Sequence, residues 1–145
     1  MKLLIDQSPE YEDVTITIQC GRIDARLQQL ISQIRLYSFT LIGKKDGRSY
    51  VIPVEEVCYF ESVDDTAFLY TESDVLEAGM KLYEIEEQLA GTGFVRVSKS
   101  CILNTEKLLS VRPLLNGKYE AELKSGEKVL VSRHYIPEFK RIFGL

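Results

Sequence analysis

Two short clusters of hydroxyl and cationic side chains carry the chemistry that this sequence offers. Residues 98–100 read Ser-Lys-Ser, and residues 132–134 read Ser-Arg-His. Hydroxyls and free backbone N–H groups bind phosphate oxygens, and a lysine or arginine adds a charge that reaches a phosphate or the N7 and O6 acceptors of guanine. These residue types are therefore compatible with a polyanionic ligand that offers both phosphates and bases.

The first cluster is expected at a transition from a loop to a helix. At such a place, unpaired backbone N–H groups and the hydroxyls of Ser98 and Ser100 are available to phosphate oxygens. Lys99 adds a long cationic side chain that reaches either a phosphate or a guanine edge. A structural alternative stays open, in which Ser98 or Ser100 only caps the turn and Lys99 is solvated.

The second cluster follows the predicted strand 129–131. The sheet would fix the backbone of Arg133 while its guanidinium projects from the bend, which suits a bidentate contact with guanine worth ~1–3 kcal/mol of discrimination. Ser132 and His134 flank this arginine and are predicted to contact phosphate. The alternatives are an ion pair of Arg133 with Glu138 across one helical turn, and local capping by the two flanking residues.

Charge is divided unequally along the chain, whose net charge is −4. From residue 94 onward there are ten Lys and Arg against five Asp and Glu, or +5, and residues 1–93 hold eight against seventeen, or −9. This division favours one face that binds a polyanion, with the acidic half kept away from it. Chance clustering on a solvated surface is the alternative.

Enzymatic activity is not predicted. The only imidazole is that of His134, and no serine lies in a nucleophile-elbow motif. The carboxylate pairs Asp64-Asp65 and Glu86-Glu87 are interpreted as solvated surface. Cysteine and histidine spacing offers no metal site, and neither a cofactor nor a small-molecule substrate is expected. The three cysteines, at positions 20, 58 and 101, are interpreted as reduced core thiols of a cytoplasmic protein.

The elements that must position these clusters are mostly short antiparallel strands, with two or three helices. The strict alternation of residues 14–20 predicts a half-buried strand, and apolar residues at helical spacing predict a helix over 22–37. Asp46-Gly47 and Asn116-Gly117 predict tight turns, and Gly91 to Gly93 are expected to stop a helix over 81–90. Further strands are predicted near 39–43, 49–52, 57–61, 67–71, 75–80, 94–97, 108–112, 118–123 and 128–131, and a last helix from Pro137.

Residues 38–145 resemble the LytTR family of bacterial DNA-binding domains. The resemblance rests on Tyr59-Phe60-Glu61-Ser62, on Phe94-Val95-Arg96-Val97-Ser98-Lys99-Ser100 with Asn104 after it, on the Asn116-Gly117 turn, and on Val131-Ser132-Arg133. It implies a mainly β, α+β fold built as an elongated stack of small antiparallel sheets. It also implies a transcription regulator that binds double-stranded DNA, in which Arg133 and Lys99 read bases in the major groove.

The loop over residues 63–67 departs from the family pattern. Many members carry a basic or histidine side chain there, whereas this chain has Asp64 and Asp65. An acidic pair near DNA is repelled unless it accepts a hydrogen bond from a cytosine amino group. Either the loop binds weakly, with Thr66 contacting phosphate, or it faces elsewhere. Asn104 is interpreted as a structural residue that positions the loop over residues 98–100.

Residues 1–37 are predicted to form a strand–helix extension for dimerisation or for docking a partner, since they are too short for a receiver domain. The resemblance implies repeated promoter sites, a homodimer, and control by an inhibitory membrane protein. The rival interpretation is a protein-interaction or adaptor module that does not bind DNA, which the acidic N-terminal part would support.

Overall fold

The strands form two antiparallel sheets, and a computed structural model describes residues 1–144. The larger sheet contains β1 (Thr40–Lys45), β2 (Arg48–Pro53), β3 (Tyr59–Val63), β4 (Thr66–Tyr70), β5 (Val75–Glu77), β6 (Phe94–Ser98) and β7 (Cys101–Asn104). The smaller sheet contains β8 (Leu108–Pro113), β9 (Tyr119–Leu123) and β10 (Lys128–Val131). The strand orders are β2-β1-β5-β4-β3-β7-β6 and β10-β9-β8.

The other regular elements of these residues are three helices and three single 3-10 turns. The helices are α1 (Ala25–Tyr37), α2 (Leu82–Gln88) and α3 (Ile136–Phe143), and the 3-10 turns are Val54–Glu56, Thr105–Lys107 and Arg133–Tyr135. The predicted class, mainly β with short helices, is confirmed. No helix within residues 1–144 combines the length and the apolar character that crossing a membrane requires.

Local sequence chemistry explains where several elements begin and end. Asp46 and Gly47 both have positive φ, at 52° and 73°, and reverse the chain between β1 and β2 as an Asp-Gly pair predicts. Asp24 accepts a hydrogen bond from the backbone N–H of Leu27 at 2.8 Å, so α1 begins at residue 25 and not at 22. Gly144, with φ 92°, ends α3.

Two apolar cores cover opposite faces of the larger sheet, because successive residues of β7 belong to different cores. Ile102 packs with Phe60 and α2, whereas Leu103 packs with the smaller sheet and with Phe139 of α3. All four residues of β7 are buried as a result. This strand is the central support of the region that carries both polar clusters.

The predicted N-terminal strand is wrong. Residues 14–20 are exposed and form no ladder within residues 1–144, although their apolar and polar residues alternate. Alternation creates an apolar face, but a strand also needs a neighbouring edge for its backbone groups. Cys20 is exposed, so its interpretation as a core thiol is also wrong, whereas Cys58 and Cys101 are buried as predicted.

Helix α1 is joined to the rest of the protein at Gly91. The Ser32 hydroxyl and an Arg35 Nη donate to the Gly91 carbonyl at 3.3 and 3.0 Å. Leu36 and Phe39 pack against the core that contains α2. The helix stop predicted at residues 91–93 therefore also receives the helix of the N-terminal extension.

Four chain reversals lie at one end of the two sheets. The turn between β3 and β4 adjoins the turn between β6 and β7, since the backbone N–H of Ser62 donates to the Ser100 carbonyl at 2.8 Å. The exit of β10 adjoins β6, since the Ser132 N–H donates to the Val97 carbonyl at 2.8 Å. The first residue of β9 pairs with the last residues of β8 and β10, which brings the turn between β8 and β9 to the same end.

Candidate nucleic-acid interface

The first polar cluster forms the turn between β6 and β7. Lys99 and Ser100 are exposed and join two paired strands, with a register shift between Arg96 and Ser98. The predicted transition from a loop to a helix is therefore wrong. The apolar run after Ser100 is short and buried on both faces, and such a run fits a central strand as well as a helix.

Arg96 holds this turn in place. Its Nε donates to the Ser98 carbonyl at 2.7 Å, and an Nη donates to the Lys99 carbonyl. Another Nη lies 3.4 Å from a carboxylate oxygen of Glu86 on α2. The planar guanidinium thus fixes two successive carbonyls of the turn that presents Lys99.

Ser98 has a capping role within the turn. Its Oγ accepts a hydrogen bond from the Ser100 N–H at 3.2 Å and lies 3.4 Å from the Ser100 Oγ. The structural alternative of turn capping is thus present for Ser98. The two hydroxyls remain adjacent at the surface, where one phosphate oxygen can reach both.

Five of the predicted residues surround one shallow cleft. Its lining consists of Ser98, Lys99, Ser100, Ser132, His134 and Tyr135. The cleft brings hydroxyls from two separate chain reversals together with a lysine and an imidazole. The His134 and Tyr135 rings meet edge to face with centroids 4.9 Å apart, and the Tyr135 N–H donates to the Ser132 carbonyl at 2.9 Å.

Arg133 lies next to the cleft, against the turn between β8 and β9. A Cβ added to Gly117 would lie 2.8 Å from the Arg133 Cδ and 3.4 Å from its Cγ, so the aliphatic part of the arginine passes directly over this glycine. The alternative ion pair with Glu138 is not formed, because the Glu138 carboxylate is bound by Arg141 in a two-point contact. That contact lowers the pKa of Glu138 and raises the pKa of Arg141.

The charges of Lys99 and Arg133 have no carboxylate partner within residues 1–144. The ion pairs of that part of the chain are Lys45–Asp74, Arg96–Glu86, Arg112–Glu120 and Arg141–Glu138. Both side chains are exposed. Their charges are available to an anion without an internal pair having to break.

Thr66 is separated from the cleft by an acidic turn. It is exposed, begins β4 and pairs with Val63, so the turn itself is Asp64-Asp65. Both aspartates have positive φ, at 50° and 65°, and Lys81 Nζ donates to the Asp65 carbonyl at 3.0 Å. The Ser62 N–H, two residues before Asp64, donates to the Ser100 carbonyl, so the acidic turn follows a strand end that lies beside the Lys99 turn.

Two residues differ from the sequence interpretation in what they position. Asn104 is buried and structural, as predicted, but its amide donates to the Val57 carbonyl at 2.8 Å and its Oδ1 accepts from the Glu106 N–H at 3.1 Å. Those contacts lie at the far end of β7 from the Lys99 turn. Arg96 positions the Lys99 turn instead. It is part of the motif over residues 94–100, and its position on a strand two residues before Ser98 could have indicated this role from the sequence.

The packing beneath the turn is tight. Cys101, directly after Ser100, is buried. Its burial, and to a smaller extent the negative charge of the nearby Glu61, raises the pKa of its thiol to about 12. At the ends of β3 and β4 that lie away from this turn, Tyr59 stacks on Tyr70 with ring centroids 4.3 Å apart, and burial raises the pKa of both phenols. The Lys99 turn is therefore followed directly by a buried, closely packed strand.

These features define a β-sheet module that presents turns and a strand exit, with cations and hydroxyls, at one end. Residues 47–144 match the family model described as the LytTr DNA-binding domain. The chain belongs to this family of DNA-binding domains. The predicted resemblance is confirmed.

Several bacterial proteins whose names describe them as regulators or signal-transduction proteins are similar to this chain. A sensory transduction protein LytT of Enterococcus faecalis is 33% identical over 101 residues, which cover 69% of this chain and 41% of that protein. An uncharacterized HTH-type transcriptional regulator of Staphylococcus aureus is 30% identical over 145 residues, covering 97% of this chain and 96% of that protein. This chain therefore spans less than half of the first relative and nearly all of the second.

A solved structure shows the same fold. The LytTr DNA-binding domain of a methyl-accepting/DNA response regulator from Bacillus cereus superposes with a TM-score of 0.69 at 24% identity, covering 73% of this chain and 97% of that domain. At this level of identity the match concerns the fold.

Proposed function

We propose that this protein is a cytoplasmic transcription regulator that binds promoter DNA sequence-specifically through turns and a strand exit. Phosphate contacts from Ser98, Ser100, Ser132 and His134 set its register on the duplex, with Thr66 at the margin. Lys99 and Arg133 enter the major groove and read bases. The observation that carries the proposal is the single cleft formed by both polar clusters, next to an arginine with no carboxylate partner within residues 1–144.

Electrostatics supports this assignment over a protein-interaction module without DNA binding. The segment from residue 94 onward carries +5, and both polar clusters belong to it. The acidic surplus lies in residues 1–93, most of which are remote in sequence from the cleft. Within residues 1–144, two exposed cations without a carboxylate partner lie at or beside a cleft lined by serine hydroxyls and an imidazole, and this combination suits a phosphate-rich ligand.

A salt-dependent binding experiment tests the proposal. Fluorescence anisotropy with duplexes selected from a random library should give binding that weakens steeply between 50 and 200 mM salt, because phosphate contacts release counterions. The Ser100→Ala variant should bind all sequences more weakly, whereas Arg133→Ala should lose base preference. Equal, sequence-independent weakening in both variants would show that the division into reading and anchoring residues is wrong.

We also propose that residues 1–37 serve dimerisation, and that a homodimer on repeated half-sites recovers the affinity that one weakly charged domain lacks. An inhibitory membrane protein is the second candidate partner for this extension. The exposed apolar residues of segment 14–20 and the outer side of α1 support a role in assembly.

Deletion of residues 1–37 tests the dimer in light scattering. A drop from dimer mass to monomer mass, with retained β-sheet circular dichroism, is the expected result. If the undeleted chain is already monomeric at micromolar concentration, dimerisation is contradicted, and the membrane partner is left as the explanation of the extension.

A further inference from the structure

We propose that the turn between β8 and β9 is a third DNA-contacting element, in which Leu115 packs on a thymine methyl group in the major groove beside Arg133. This inference rests on the proposed function, since it requires Arg133 to enter that groove. It assigns a binding role to a residue outside both polar clusters.

The position of the turn is the first support. Arg133 lies over Gly117, so a duplex close enough to receive the guanidinium is also close to the turn. The turn occupies the same end of the sheets as the cleft, because the first residue of β9 pairs with the last residue of β10, directly before Ser132. Whatever covers Arg133 also faces residues 114–118.

The chemistry of the turn is the second support. Leu115 is fully exposed at its tip. Single exposed leucines are ordinary on protein surfaces, but this one stands beside a base-reading candidate in a stretch, 113–119, with one lysine and no acidic residue. Thymine is the base that offers an apolar group in the major groove, and protein apolar groups read it there.

The rigidity of the turn is the third support. The Leu114 N–H donates to the Lys118 carbonyl at 2.8 Å, the Gly117 N–H donates to the Leu114 carbonyl at 3.2 Å, and the Asn116 Oδ1 accepts from the Lys118 N–H at 3.2 Å. These bonds hold the backbone of Leu115 in a defined conformation. Binding then orders the leucine side chain and costs little backbone entropy.

Uracil substitution tests the contact, because uracil lacks the C5 methyl of thymine. In a duplex selected by the wild-type protein, each thymine is replaced singly by uracil, and dissociation constants are measured for wild type, Leu115→Ala and Leu109→Ala. Leu109 is a matched control: it is exposed in the same sheet, but it lies at the opposite end of β8. Thermal unfolding verifies that all three proteins are folded.

We expect one or two thymines at which uracil lowers the affinity of wild type and of Leu109→Ala about fourfold, which is the effect of one methyl-sized apolar group. At the same thymines, the affinity of Leu115→Ala should not change. Equal uracil sensitivity in wild type and Leu115→Ala would overturn this inference while sequence-specific binding, and with it the proposed function, stands. A wild-type protein that selects no sequence would overturn both.

Discussion

The aliphatic chain of Arg133 lies so close to Gly117 that a single added methyl group would displace it, since the Cβ position is 2.8 Å from the Arg133 Cδ. The glycine has φ +80°, and its lack of a side chain gives the arginine its route over the turn. The direction of the guanidinium therefore depends on a residue 16 positions earlier in the chain.

Replacement of this glycine should impair DNA binding beyond its effect on stability. Gly117→Ala and Gly126→Ala both place alanine at positive φ, at a cost of about 1–2 kcal/mol each, but a Cβ at Gly126 meets nothing within 4 Å. We expect the affinity for a selected duplex to fall about tenfold in Gly117→Ala and not in Gly126→Ala. A tenfold loss lies in the lower part of the ~1–3 kcal/mol that a bidentate base contact contributes. Anisotropy and thermal unfolding of both variants measure this, and equal affinities would contradict it.

Arg96 should act as a positioning residue for Lys99. Arg96→Gln removes the fork that binds the Ser98 and Lys99 carbonyls, and hydrogen bonds from a charged donor contribute ~1.5–3 kcal/mol each. We expect lower stability and a loss of preference at the bases nearest Lys99, measured by selection and sequencing of bound fragments.

The matched control is Glu86→Gln, which breaks only a half-exposed ion pair of about 0–1 kcal/mol and keeps both carbonyl contacts. It should retain the wild-type base preference. If Glu86→Gln loses the same preference as Arg96→Gln, the ion pair and not the carbonyl fork positions the turn.

The acidic turn beside Lys99 should oppose DNA binding. The double variant Asp64→Asn, Asp65→Asn keeps side chains that tolerate positive φ and removes two negative charges. We expect binding to all duplexes to tighten by about two- to fivefold at low salt, and the gain to shrink as salt rises. A loss of affinity confined to duplexes with cytosine at one position would instead show that an aspartate accepts from a cytosine amino group.

Thiol reactivity should distinguish the three cysteines. Burial raises the pKa of Cys101 to about 12, so very few molecules carry the thiolate there at pH 8, and burial also raises the pKa of Cys58. Cys20 is exposed. When native protein is treated with Ellman's reagent, one protein thiol should react rapidly. In denaturant, all three thiols should react. Rapid reaction of two or three thiols in native protein would contradict the burial of Cys58 and Cys101.

The strands and turns of residues 39–144 could largely be predicted from local patterns, because each turn depends on nearby chemistry such as Asp46-Gly47. The strand β7 could not, since a short apolar run after Ser100 fits a helix or a fully buried strand until the elements that cover both its faces are known. The strand predicted over residues 14–20 was wrong for a related reason. Alternation of apolar and polar residues is a local pattern, whereas a strand forms only where the edge of another strand can pair with it.

The candidate site was predictable in its residues and less so in its geometry. Residue types and the family motif identified both polar clusters. The contact of Arg133 with Gly117, and the hold of Arg96 on the Lys99 turn, depend on side-chain paths in three dimensions. The Asp24 cap was readable from the sequence, since aspartate before an amphipathic run is a favoured helix start, and it places the start of α1 three residues later than predicted.

The most direct test of base reading by Arg133 is a guanine scan of a selected duplex with 7-deazaguanine, which lacks the N7 acceptor. Wild-type protein should lose affinity about fivefold or more at one guanine, a loss of ~1 kcal/mol or more, and Arg133→Ala should bind the parent and that modified duplex equally, because its contact is already absent. An Arg133→Ala variant that keeps the full wild-type sensitivity at every guanine would contradict the account.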